Sequence, residues 1–322
     1  MELFVLLAVL ALSQGRRLTA QENRERFLHC GSAPDDSPTP TTAQTDSSQF
    51  KILGGRNSGP RPYAAQLIYE NGNDGDHCGG TMISSRHVLT AAHCVYEDRE
   101  KFCNGTLYAP RNNATRWTVV LKSRCGHLNT DPSCDEKDAK IFAKPTKIFV
   151  NLNFFKRYCE KGGDIAIFEL DRDYLPEEGV VPACLAAELD ARKTQGGFHN
   201  YLQEVNLKLQ GCTSGFAPDD ALCTEEIDKN VCRGDSGGGL MIPAAVNNKP
   251  TVIGLVSHGA RCINMWFSYY KHKYPGGVFT DVRGYNRFIC RTTGVCPFAK
   301  LKKQKKFTID EIPLFLADNP SK

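Results

Sequence analysis

The stretch VCRGDSGGGL, Val231 to Leu240, sets an acid, a serine and four glycines within ten residues. Glycine serves where another group must approach the backbone closely or where φ must be positive. An aspartate and a hydroxyl among such glycines mark either a turn built for chemistry or a plain Gly-rich surface loop. Partners elsewhere in the chain decide between the two.

Two candidates stand upstream. SSRHVLTAAHCVY, Ser84 to Tyr96, places His93 at the end of a strand-like run, immediately before Cys94. KGGDIAIFEL, Lys161 to Leu170, places Asp164 at the head of an apolar run, where a carboxylate entering the interior needs donors. Each alone reads as a packed or turn residue. With Ser236 they form a set, because a serine hydroxyl is a poor nucleophile until an imidazole takes its proton and an acid fixes the tautomer of that imidazole.

Composition frames this set. The 322 residues are 41% apolar, enough for one large core or two small ones. LFVLLAVLALS, Leu3 to Ser13, is too short to span a bilayer and is followed by small and polar residues, so residues 1–15 read as a secretory signal peptide. Fourteen cysteines behind it point to disulfides, and the lack of close C-x-x-C pairs argues against a zinc ribbon. No metal and no cofactor is expected. The sequons at Asn104 and Asn113 fit a glycosylated, secreted, extracellular product. Five of the positive charges behind the net +4 lie in KLKKQKK, Lys300 to Lys306, and the rest is near neutral, which argues against nucleic acid as a partner.

Residues from about Gln21 to Gln49 are polar and Pro-rich and read as extended or disordered. From Phe50 on, AAQLIYE, HVLTAAHC, RWTVVLKS, KIFVNL, DIAIFEL, TVIGLVSHG and GGVFTDV alternate with Gly, Pro, Asn and Asp clusters, the spacing of an all-β sandwich or barrel. After Cys296 the chain returns to lysine-rich polar composition.

LTAAHC, DIAIFEL and GDSGG, in that order, resemble the signatures of the chymotrypsin/trypsin family of serine proteases, with nematode-type trypsin-like peptidases among the similar members. The resemblance implies two packed six-stranded antiparallel β-barrels with a C-terminal helix and the site between them. It implies Ser236 as nucleophile, His93 as general base and acid, Asp164 as the group orienting His93, and an oxyanion hole at the N–H groups of Gly234 and Ser236. It implies a propeptide over 16–51, cleavage between Lys51 and Ile52 with Asp235 receiving the new α-ammonium group, a protease domain over 52–298 and a tail over 299–322. It further implies the disulfides Cys78–Cys94, Cys232–Cys262, Cys212–Cys223 and Cys30–Cys184, leaving Cys103, Cys125, Cys134, Cys159, Cys290 and Cys296 unassigned. Implied partners are protein or peptide substrates, an activating trypsin-like protease and protease inhibitors.

The primary pocket departs from the family pattern. Asn230 stands where enzymes cutting after Lys or Arg carry an acid, with Asp228 two residues before it. Ser257, Gly259 and Gly277 match the pocket's other lining, and His258 replaces a usual Trp. The competing function is a catalytically retired member acting as a binding or adaptor protein. Such members lose His, Asp or Ser, and all three are present.

Overall fold

The computed structural model describes residues 16–32, 56–57, 61–70, 76–95, 114–122, 140–159, 161–186, 203–212, 217–224, 229–232, 234–243, 249–259 and 276–297. The strands are β1 (Arg56–Asn57), β2 (Ala64–Tyr69), β3 (Asp76–Ser84), β4 (His87–Thr90), β5 (Trp117–Leu121), β6 (Ile141–Ala143), β7 (Pro145–Val150), β8 (Ala166–Leu170), β9 (Cys184–Leu185), β10 (Gln203–Glu204), β11 (Leu209–Gln210), β12 (Ala221–Thr224), β13 (Gly239–Pro243), β14 (Pro250–Gly259) and β15 (Gly277–Asp281). The helices are α1 (Ala20–His29), the single turn α2 (Asn153–Lys156) and α3 (Asn286–Thr293).

The first sheet runs β6-β5-β2-β3-β4-β8-β7. Because β6 pairs with β5, β7 pairs with β8, and only Lys144 separates β6 from β7, this broken strand brings the sheet back on itself. Counted as one strand, it makes the first unit six-stranded. The second sheet runs β11-β12-β15-β14-β13, with β9 alongside β14 in parallel. The architecture is therefore two curled, largely antiparallel sheets with a short C-terminal helix.

Aromatic and β-branched side chains explain why these segments extend and why their faces are dry. Trp117, 1% exposed, meets Tyr69 at 5.0 Å and the edge of Phe168 at 5.3 Å between ring centroids. Pairs of this kind add about 1 kcal/mol each beyond the area they bury. One core cluster runs from the first sheet to Val282, Tyr285, Phe288 and Ile289, and a second gathers Val231, Leu240, Ile253, Val256 and Phe279 under the second sheet.

The expectation of an extended segment over 21–49 is corrected for its first part: residues 20–29 are helical. Composition missed this because α1 does not depend on an apolar face. Thr19 Oγ1 accepts from Glu22 N at 3.2 Å and Glu22 Oε2 accepts from Thr19 N at 2.6 Å, a capping box worth about 1 kcal/mol. The helix is then seated by polar contacts to the body: Leu18 N donates to Thr293 O at 2.7 Å, Asn23 Nδ2 to Cys296 O at 2.9 Å, and Gly31 N to Pro182 O at 2.8 Å. The Cys30–Cys184 disulfide closes the attachment.

Candidate active site

His93 lies on a 3-10 turn, Ala92–Val95, that continues β4, and Asp164 lies just before β8, the next strand over. Antiparallel pairing of β4 with β8 thus brings the two together from 71 positions apart. Asp164 Oδ1 accepts the backbone N–H of His93 at 2.8 Å, and Oδ2 lies 2.8 Å from Nδ1 of the same residue. Ser257 Oγ also donates to Oδ2, at 2.5 Å. Ser257 stands where the β14–β15 register shifts between Val256 and His258, and such a bulge re-aims a side chain that a regular strand would direct elsewhere.

Asp164 is 4% exposed. Burial pushes its carboxyl up, but the charge and hydrogen bonds of His93 and the hydroxyl of Ser257 outweigh burial and leave it below the usual carboxylate range. Behind it, Gly162 and Gly163 take φ of 95° and 83°, so the chain turns sharply into the interior. Gly163 N donates to Asp220 Oδ2 at 2.9 Å, and the Tyr285 hydroxyl donates to the same oxygen. Thr280 Oγ1 donates to Asp164 O at 3.0 Å. Asp220, Tyr285 and Thr280 went unnoticed in the sequence; the adjacent glycines in KGGD were the one signal that this turn is special.

The Ser236 turn sits against the His93 segment. Ser236 O accepts from Gly79 N at 2.7 Å, and Gly237, at φ 78°, fits only because it lacks a Cβ, which would meet Thr90 Oγ1, Gly79 O at 2.5 Å and Ala91 N at 3.0 Å. Gly234 takes φ 101°, and a Cβ there would meet none of the described residues within 4 Å. Asp235 is 2% exposed, with its Oδ2 accepting Cys232 N at 2.6 Å. An imidazole held at Nδ1 by a carboxylate can present Nε2 as a base, and a serine on a glycine turn packed against the segment that carries that imidazole is the arrangement acyl transfer needs.

Asn230, Gly259 and Gly277 converge with Thr224. A Cβ on Gly277 would lie 2.9 Å from Asn230 Oδ1 and 2.8 Å from Thr224 Oγ1, and one on Gly259 would lie 3.7 Å from Asn230 Nδ2. Asn230 is fully buried, and neither amide atom has a hydrogen-bond partner among the described residues; the same holds for Thr224 Oγ1. Ser257 contacts Asp164 as well as standing at the start of this strand end.

The disulfides include Cys30–Cys184, Cys78–Cys94, Cys212–Cys223 and Cys290–Cys296. Cys78 and Cys94 lie with His93 in a cluster of metal-ligand type, but their sulfurs are bonded to each other and offer no thiolate. Lys51, Ile52, Asn104, Asn113, Cys103, Cys125, Cys134, Asp228 and Cys262 lie outside the described residues.

The trypsin family model matches residues 52–289. The chain belongs to the trypsin family of serine proteases. Among its relatives, the trypsin-like protease try-5 of Caenorhabditis elegans is 31% identical over 71% of this chain and 81% of its own length. The transmembrane protease serine 11B of Homo sapiens is 28% identical over 76% of this chain and 56% of its own, and the proclotting enzyme of Tachypleus tridentatus 28% over 74% and 64%. The chain thus spans less than two thirds of these last two relatives. The match begins at Ile52, so α1 itself lies outside the trypsin-family segment, while Pro182 and Cys184, which hold its C-terminal end, lie within it. Among the described residues no helix is long and apolar enough to cross a membrane.

Proposed function

We propose that this trypsin-family chain is a secreted serine endopeptidase made as a zymogen, cutting peptide bonds through an acyl-enzyme. The observation that carries the reading is the double attachment of Asp164 to His93, with the Ser236 turn packed on the segment that bears the histidine. Ser236 attacks the scissile carbonyl, His93 takes its proton and returns it to the leaving amine, and Asp164 holds the imidazole and stabilises its charged form. The N–H groups of Gly234 and Ser236 receive the oxyanion, each worth ~3 kcal/mol of barrier.

Zymogen control is supported by the buried carboxylate of Asp235. Cleavage between Lys51 and Ile52 by another trypsin-like protease would supply an α-ammonium group to offset that charge. The name of the Tachypleus tridentatus relative, a proclotting enzyme, is in keeping with a proenzyme form. Protein substrates and protease inhibitors are the partners this chemistry implies. The Cys30–Cys184 bond keeps the pro-segment on the body after the cut.

The test uses the purified chain after cleavage at Lys51. An active-site serine phosphonate should label it and stop peptide hydrolysis, and Ser236→Ala should abolish both while leaving folding intact. Hydrolysis that survives in Ser236→Ala would refute the reading.

A further inference from the structure

Glu169 of β8 is 1% exposed and faces the first residue of the docked pro-segment. Its cross-strand neighbours are His87 on one side and Lys147 on the other. The Arg16 backbone N donates to Glu169 Oε2 at 2.5 Å, and Thr146 Oγ1 lies 3.4 Å from Oε1. His87 Nε2 stands 3.8 Å from Oε2, beyond hydrogen-bond reach, and is buried with no hydrogen-bond partner among the described residues. Burial also holds the fully enclosed His87 imidazole toward its neutral form.

Arg16 is fixed from several directions. Its guanidinium donates to Asp171 O at 2.9 Å and pairs with Asp173 Oδ2 at 2.9 Å. Its carbonyl accepts from Arg86 Nε at 2.8 Å, and Arg86, itself 7% exposed, also pairs with Asp173 and with Glu22 at the head of α1. The next anchor is the buried Leu18. A main-chain nitrogen is therefore held on an enclosed carboxylate, and a neutral amide is a weak match for a buried negative charge.

Upstream of this nitrogen, Ser13-Gln14-Gly15 has small residues at the first and third positions before the Gly15–Arg16 bond, the pattern read by signal peptidase. We infer that Glu169 is a receptor for the α-ammonium group of a chain that begins at Arg16, created when the signal peptide is hydrolysed after Gly15. The inference rests on the secretory part of the proposed function. Hydrolysis by the host's signal peptidase consumes one water, leaves a carboxylate on Gly15 and leaves the amine of Arg16 to take up a proton. In the processed chain the nitrogen that meets Glu169 is therefore a cation, and the buried charge is neutralised. The pro-segment is latched at Glu169 before any activation cut. Two new N-termini then act on one protein: Arg16 seats the pro-segment, and Ile52 is left to activate the domain.

The experiment uses the uncut proenzyme secreted from eukaryotic cells, so it needs no peptidase activity. Intact mass should place the N-terminus at Arg16. Acetylation with an N-hydroxysuccinimide ester at pH 7, read by peptide mapping, should modify that amine about tenfold more slowly than in Glu169→Gln, because a paired ammonium group gives up its proton less readily. A form with one alanine inserted between Gly15 and Arg16 should also label quickly, and its Tm should fall by about 3 °C. That form keeps Glu169 and decides the matter if Glu169→Gln does not fold. A chain beginning elsewhere than Arg16, or equal labelling of the natural and inserted forms, would overturn the inference.

Discussion

Asp164 and His93 are joined twice, since one carboxylate oxygen takes the backbone N–H of His93 and the other meets Nδ1, each at 2.8 Å. The two contacts fix the aspartate's orientation and leave its Oδ2 shared with the Ser257 hydroxyl at 2.5 Å. Asp164→Asn therefore has one way to fit: its carbonyl must receive the fixed His93 N–H, and its NH2 then faces Nδ1. That forces Nδ1 to accept and moves the imidazole proton to Nε2, where it cannot receive the proton of Ser236. The expected outcome is a fall in kcat on the order of 10⁴-fold with the fold retained, measured with a peptide substrate on the activated variant. A variant within tenfold of wild type would contradict it.

Strands whose apolar residues run continuously, such as TVIGLVSHG and DIAIFEL, were legible in the sequence and form β14 and β8. β3 was not, because Gly79 and Gly80 interrupt it; Gly79 is there to let the Ser236 turn come within hydrogen-bonding distance. α1 escaped notice because its stability comes from a polar cap and from contacts with residues more than 150 positions away. The support for Asp164 escaped for the same reason. Asp220 and Tyr285 lie 65 positions apart, and no local pattern announces their meeting.

Stability should fall in two steps as pH is lowered. Burial pushes the His87 imidazole down, so the unfolded chain binds that proton at higher pH than the folded one, and stability declines below about pH 6.5. Asp164 is held below the usual carboxylate range despite burial, by the charge and hydrogen bonds of His93 and by the Ser257 hydroxyl. Its contribution is complete above about pH 5 and is lost as pH falls through the lower folded value. The Tm of the Ser236→Ala proenzyme, which cannot digest itself, should drop between pH 7 and 5 and again below 4. A Tm constant to pH 3 would count against both assignments.

Asn230 offers a fully buried amide whose two polar atoms have no hydrogen-bond partner among the described residues. Facing a lysyl ammonium group, this amide supplies no ion pair to offset lost water, so the enzyme should be poor at cutting after Lys and should not process its own Lys51 junction. Asn230→Asp should raise kcat/KM on lysyl peptides by about a hundredfold. It should also lower the Tm of the free enzyme, because the new carboxylate has no cation until substrate arrives. Incubating the wild-type proenzyme alone and following the new N-terminus at Ile52 checks the first half. Self-accelerating processing would show that another residue serves as the pocket's acid.

Gly237 and Gly234 both have positive φ, at 78° and 101°, but only Gly237 is enclosed. A methyl at 237 would press on Thr90 Oγ1, on Gly79 O at 2.5 Å and on Ala91 N at 3.0 Å, so the Ser236 turn and the segment carrying His93 would have to separate. A methyl at 234 meets none of the described residues within 4 Å and adds backbone strain of about 1–2 kcal/mol. Gly237→Ala should consequently lose more stability than Gly234→Ala. It should also lose activity on the order of 10²-fold, because a shift of about 1 Å between nucleophile and base is enough for that. Thermal unfolding and phosphonate labelling of the two activated variants separate these effects. Equal Tm values for the two variants would mean that the serine turn does not rest on the histidine segment in solution.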